Sequence, residues 1–154
     1  MFEKHLDPMF SSFDTETIWP WLVYVHMQQL KHNSNTELGV ERFLCVGTLV
    51  SGDSVLTTAS CVHALSLESV RVSVRFAGDP TGATFGQETN TEGRMHVESM
   101  SVHRKFEPAI KKNDLAVLKL AHHVNFTSTL YPACLAARNV GWDETNNTLL
   151  TVGW

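Results

Sequence analysis

The chain has 154 residues, 43% of them hydrophobic and 18% charged, with a formal net charge of −4. That length suffices for one domain with a real core, the composition is that of an ordinary globular chain, and the acidic balance argues against nucleic acid as a partner. No apolar run approaches the roughly 20 residues of a membrane-spanning helix.

Residues 1–17 are polar and aperiodic apart from a few Phe and Met, and read as an irregular lead-in. The opening MFEKHLDPMF carries charges and a proline where a signal peptide needs a continuous apolar segment. From Trp19 to Met27 the pattern alternates, which predicts a strand with Trp21, Val23, Val25 and Met27 on one side. Lys31 to Leu38 is a polar loop whose lysine and histidine are expected to be solvated.

Two apolar runs follow, Val46 to Val50 and Val55 to Ala59, joined by Ser51-Gly52-Asp53-Ser54. They predict a strand, a turn and a second strand. Cys45 and Cys61 lie at the outer ends of this hairpin, where pairing of the strands brings them within disulfide reach. A bridge across so modest a loop is worth about 3 kcal/mol on the chain-entropy estimate.

Val70, Val72, Val74 and Phe76 alternate with Arg71, Ser73 and Arg75, predicting a half-buried strand with a solvated basic face. Gly78 to Gly93, rich in Gly, Thr, Asp and Glu, reads as a long surface loop. Met95 to Val102 is a further strand, and Leu115 to Leu120 a buried one. His122 and His123 are expected in a solvated turn, since neighbours on an extended chain face opposite ways and make a poor metal pair. Asn125 and Asn146 each head an Asn-x-Thr sequon.

Two stretches carry a family resemblance. Val55-Leu56-Thr57-Thr58-Ala59-Ser60-Cys61 resembles the Val-Leu-Thr-Ala-Ala-His-Cys strand end of the trypsin-like (chymotrypsin-fold) serine proteases. Asn113-Asp114-Leu115-Ala116-Val117-Leu118-Lys119-Leu120 is similar to that family's Asn-Asp-Ile-Ala-Leu-Leu-Lys-Leu. Weaker echoes are Trp19-Pro20-Trp21, the turn at His103 to Phe106, and the closing Val152-Gly153-Trp154. The resemblance implies an all-β fold, an antiparallel Greek-key β-barrel of the chymotrypsin type. It places the first of the family's two barrels at about 19–135, and the crossover with the first strand of the second barrel at about 136–154.

It also implies a site and its lesion. Asp114 matches the carboxylate of the catalytic triad, and Ser60 stands where the family has its histidine base. A hydroxyl has no accessible base form near neutral pH and cannot replace imidazole. His63, three residues on, starts from a different backbone position and is not expected to substitute. The family's nucleophile and oxyanion hole fall beyond Trp154. Phe13 to Ile18 lacks the glycine pair and basic residue of an activation sequence, so zymogen cleavage is not expected.

Cys134, in a Pro-x-Cys-Leu context, corresponds in the family to a tether toward sequence upstream of the protease domain; its alternative is a free, buried thiol. Some relatives bind calcium in a loop near 78–93. Asp79, Glu88 and Glu92 lack the dense spacing such a loop needs, so no metal or other cofactor is expected.

The disulfide and the sequons suit an oxidising compartment, and the expectation is a piece of a longer secreted chain with its signal upstream. Function then reads as a pseudoprotease that binds a protease, zymogen or inhibitor of a proteolytic cascade. The alternatives are a fragment of an active trypsin-like endopeptidase, or a lone half-protein exposing the apolar face that the second barrel would cover.

Overall fold

A computed structural model describes residues 19–30, 39–79 and 93–135. The lead-in, the 31–38 loop, Glu88, Glu92, Asn146 and the 136–154 crossover lie outside these residues. Six strands are present among them: β1 (Leu22–Gln29), β2 (Arg42–Ser51), β3 (Ser54–Thr57), β4 (Val70–Phe76), β5 (Met95–Val102) and β6 (Ala116–Leu120), with one short helix, α1 (Ala59–Val62), after β3.

The strands close into a barrel in the order β1-β2-β3-β6-β5-β4, every pair antiparallel. This is the all-β Greek-key barrel that the resemblance implies. Closure leaves no unpaired edge among the described strands, and the bulges between Val25 and His26 and between Val97 and Ser99 help the strands curve round.

The interior is filled by the alternating residues that the sequence points inward. Val23 and Val25 of β1, Val72, Val74 and Phe76 of β4, and Leu118 of β6 are all at most 1% exposed. Trp21 and Met27 pack against this core from the margin. β5 spans the residues predicted for it.

Three local expectations need correction. The hairpin's second strand stops at Thr57, its last rung opposite Ala116, because the chain turns at Thr58 into α1. Cys61 therefore bridges to Cys45 from a helix rather than from a strand end, with the two Cα atoms 6.3 Å apart. β6 is not buried throughout: Ala116, Leu118 and Leu120 face inward, while Val117 and Lys119 face out and Leu115 just before them is 51% exposed. The arginines of β4 are half-buried rather than solvated, and Ser73 between them is buried. In a barrel this small, long side chains lie along their cross-strand neighbours instead of standing free.

The segment after β6 is tied down over the barrel end. Ala133 N–H donates to Leu49 O at 2.9 Å, and Tyr131 meets Trp21 edge-on with centroids 5.9 Å apart. Gly78 lets this segment approach, since a Cβ built there would lie 1.7 Å from the backbone oxygen of Thr129. Gly78→Ala is expected to lower stability by roughly 1–3 kcal/mol, as overpacking against backbone does. The urea midpoint reads this directly; an unchanged midpoint would mean that the Thr129 backbone yields without cost.

Candidate functional site

Asp114 sits just ahead of β6 at the end of a tight turn. Lys111 and Asn113 both take left-handed backbone, with φ of 51° and 55°. Asn tolerates this conformation, whereas a lysine there costs about 1 kcal/mol. The turn is held by Asn113 Nδ2 donating to Lys105 O at 2.8 Å and by the Glu107–Lys112 bridge. Strain of this kind persists where surrounding bonds over-determine the backbone, and here it presents the Asp114 carboxylate to α1.

Across from it, α1 offers the start of its first turn. Ser60 N–H donates to Asp114 Oδ1 at 2.6 Å, and Ser60 Oγ donates to Asp114 Oδ2 at 2.8 Å. The residues 54 apart in sequence that the resemblance singled out are thus in direct contact. Partial burial pushes the Asp114 carboxyl up, but the Ser60 amide and hydroxyl, with Lys111 and the Ala59 amide, outweigh it and hold the group below the usual carboxylate range.

What this pair can do follows from its protonation chemistry. A carboxylate held below its ordinary range is a weak base, and it is already engaged by two donors from one residue. The Ser60 hydroxyl spends its proton on Asp114. No group in the pair takes up and returns a proton near neutral pH, which is the step an imidazole supplies in a triad.

His63 is placed elsewhere. It caps the C-terminal end of α1, its Nδ1 lies 3.2 Å from Ala59 O, and its exposed ring packs edge-on against Phe106 at 5.2 Å between centroids. That contact turns it toward the His103–Phe106 turn. His103 is likewise a turn residue, its carbonyl accepting from Phe106 N–H at 2.9 Å.

Cys45 and Cys61 are joined. Cys134 is a free, exposed thiol, which contradicts the buried alternative: the tie at Ala133 holds the chain on the surface here. Asn125 is exposed. Asp79 is 6% exposed in a turn that bridges back to Phe76, and no group of three His, Cys, Asp or Glu residues arranged for a metal occurs among the described residues. His122 and His123 are both exposed, as expected, and the ring of His123 lies over Gly52, where any Cβ would meet it at 1.9 Å.

At the other end of β3, away from Ser60 and Asp114, a second carboxylate responds to acid in the same direction. Asp53, in the β2–β3 turn, is held at about 2 from an ordinary 3.8 by the ammonium of Lys119 and the hydroxyls of Ser54 and Ser51. For groups lowered on folding, the stability they add is full above the unfolded pKa and is lost as pH falls through the folded one. Stability is therefore expected to decline between about pH 4 and pH 2, and Asp53→Asn to flatten that decline, as followed by urea titrations at each pH. An equally steep decline in the variant would remove Asp53 from the account.

The family model described as Trypsin matches residues 13–154. Coagulation factor XI of Bos taurus is 27% identical over 129 residues, covering 82% of this chain and 18% of that protein. The inactive serine protease scarface of Drosophila melanogaster is 26% identical over 152 residues, covering 98% of this chain and 20% of its own length. Among solved structures, that of the Drosophila Grass clip serine protease of the Toll pathway superposes with a TM-score of 0.54 at 26% identity, over 75% of this chain and 32% of the other. This chain thus spans about a fifth of the two curated relatives and a third of the solved one. Barrel, disulfide and family match agree: the chain belongs to the trypsin family of serine proteases.

Proposed function

We propose that this chain is the first barrel of a catalytically silent trypsin-family protein that acts by binding other proteins. The observation that carries the reading is the Ser60 hydroxyl donating to Asp114 at 2.8 Å. By the family pattern, Asp114 occupies the triad carboxylate position and Ser60 the place of the imidazole, so the carboxylate is satisfied by a group that cannot relay a proton. The long match to a relative described as an inactive serine protease supports the same direction.

Secretion is part of the proposal. A disulfide and an exposed asparagine in a sequon suit an oxidising compartment with glycosylation. Leu115 and Val117 present apolar surface outside the barrel, and the exposed Cys134 thiol suits a covalent tether to another segment. The partner proposed is a protease, zymogen or inhibitor of a proteolytic cascade, and no cofactor is required.

The test is inhibitor-sensitive hydrolysis of a peptide ester by the secreted protein expressed from its full transcript. The expected result is no turnover above background, on the order of a millionfold below a triad enzyme. Inhibitor-sensitive turnover with Ser60 in place would overturn the reading in favour of an active endopeptidase. Its loss on His63→Ala would then name the base.

A further inference from the structure

The turn that joins β5 to β6 stands off the barrel and is basic at both ends. Arg104 and Lys105 open it and Lys111 and Lys112 close it. Residues 107–112 are all exposed, Ile110 to 67%. The hold on this turn is slight. A backbone bridge joins its two arms, Glu107 N–H donating to Lys112 O at 3.0 Å, and a side chain crosses it, Asn113 Nδ2 donating to Lys105 O at 2.8 Å. Phe106 pins the incoming arm by packing on His63. A segment held by so few contacts opens locally while the barrel stays folded.

The basic residues of the turn are not equivalent. The incoming pair is tethered: Lys105 N–H donates to His103 Nδ1 at 3.2 Å, and its carbonyl accepts from Asn113. The carbonyl of Lys112 is held by Glu107 N–H. Lys111 sits in left-handed backbone, with φ of 51°, which a lysine keeps only under constraint. A protease takes its substrate as an extended strand, so opening the turn onto one releases the strain at Lys111 and offsets part of the work of breaking the bridge. Arg42, Arg71, Arg75 and Lys119 lie within strands of the closed barrel. There an extended cut site forms only once the sheet comes apart.

We propose that this turn is a processing site, at which a protease specific for basic side chains hydrolyses the Lys111–Lys112 bond. Water adds to the Lys111 carbonyl and the C–N bond breaks. The oxygen stays on Lys111 as a carboxylate, and both hydrogens go to the Lys112 nitrogen as an ammonium. The inference goes beyond the binding role proposed above and holds whether or not the chain is catalytically silent. The cut leaves the barrel standing. β6 stays paired with β3 on one side and β5 on the other. Cys45 and Cys61 both precede the bond, so the pieces are held by the sheet rather than by that bridge. What changes is the approach to Asp114: the strained turn that presents it becomes two free ends, with a new positive charge two residues ahead of the carboxylate.

The experiment is limited proteolysis of the full chain by trypsin at about 1:1,000 by mass, read by mass spectrometry, without urea and in about 1 M urea, which raises the globally unfolded fraction by about tenfold. An early cut is expected that ends one piece at Lys111 and starts another at Lys112. Its rate should change less than about threefold in the urea, while cuts after Arg42 and Arg75 follow global unfolding. Lys111→Gln is expected to slow cleavage at this turn by at least about tenfold, Lys112→Gln to keep the cut after Lys111, and Asn113→Ala, which removes the cross-turn bond, to speed it by about fivefold. Lys111→Gln and Lys112→Gln alter exposed side chains, so a retained cooperative melt shows that their effects are local. The cut pieces are expected to elute together from a native sizing column and to separate in about 6 M urea. Cleavage after Lys112 in preference to Lys111 overturns the proposal. So does a rate that climbs with the cuts after Arg42 and Arg75, an unchanged rate in a folded Asn113→Ala variant, or loss of the cooperative melt on cutting.

Discussion

Replacing Cys45 and Cys61 together by alanine is expected to lower stability by about 3 kcal/mol. The bridge spans 16 positions, so its loss returns to the unfolded chain the freedom of a loop of that size. In a domain of this length that corresponds to a fall of roughly 10 °C in Tm. The effect is not confined to the unfolded state. Cys61 is in α1 next to Ser60, and Cys45 in the middle of β2, so the bridge fixes the helix that presents two donors to Asp114. Thr57 adds to this clamp, its hydroxyl donating to Val46 O at 2.8 Å with Cys45 Sγ 3.4 Å away. Urea unfolding of the double variant, and of the native chain with and without a thiol reductant, measures the change. Agreement between the two routes assigns it to the bridge. A shift below about 1 kcal/mol would mean that barrel closure alone holds α1 in place.

How much of this was legible in the sequence varies with the physics behind each feature. β1, β4 and β5 could be read because one face of each is packed and period-two alternation records it in Val23, Val25, Val72, Val74 and Phe76. The direct contact of Ser60 with Asp114 could be read only through resemblance, since nothing in local pattern links positions 54 apart. The short helix α1 left no signal: four residues give no 3.6-residue periodicity, and Val55 to Ala59 is equally good strand sequence. β6 misled by the opposite route. Leu115 and Val117 are apolar yet exposed, so composition suggested burial where alternation in the fold gives two faces.

An imidazole introduced by Ser60→His is expected to titrate well above its ordinary value of about 6.5. The reason is the carboxylate already waiting for it. Asp114 stays ionised because the amides of Ser60 and Ala59 and the charge of Lys111 favour its charged form, and none of the three is lost with the hydroxyl. An anion at that distance favours a protonated ring by roughly one unit or more. Because the folded value is raised, the stability this pair adds is full below about pH 6.5 and is lost as pH rises through the folded value. Ring-proton NMR across that range measures it, and the same substitution with Asp114→Asn should return the ring to its ordinary range. A ring unmoved by Asp114→Asn would show that the position points an imidazole elsewhere, and the triad assignment of Asp114 would fall. In the protein expressed from its full transcript the same substitution has a second readout, turnover of a peptide ester, where a restored triad is worth several orders of magnitude. A raised titration with restored turnover makes Ser60 the whole of the lesion. A raised titration without it locates a further loss outside the barrel, and the protein is then silent by more than one substitution.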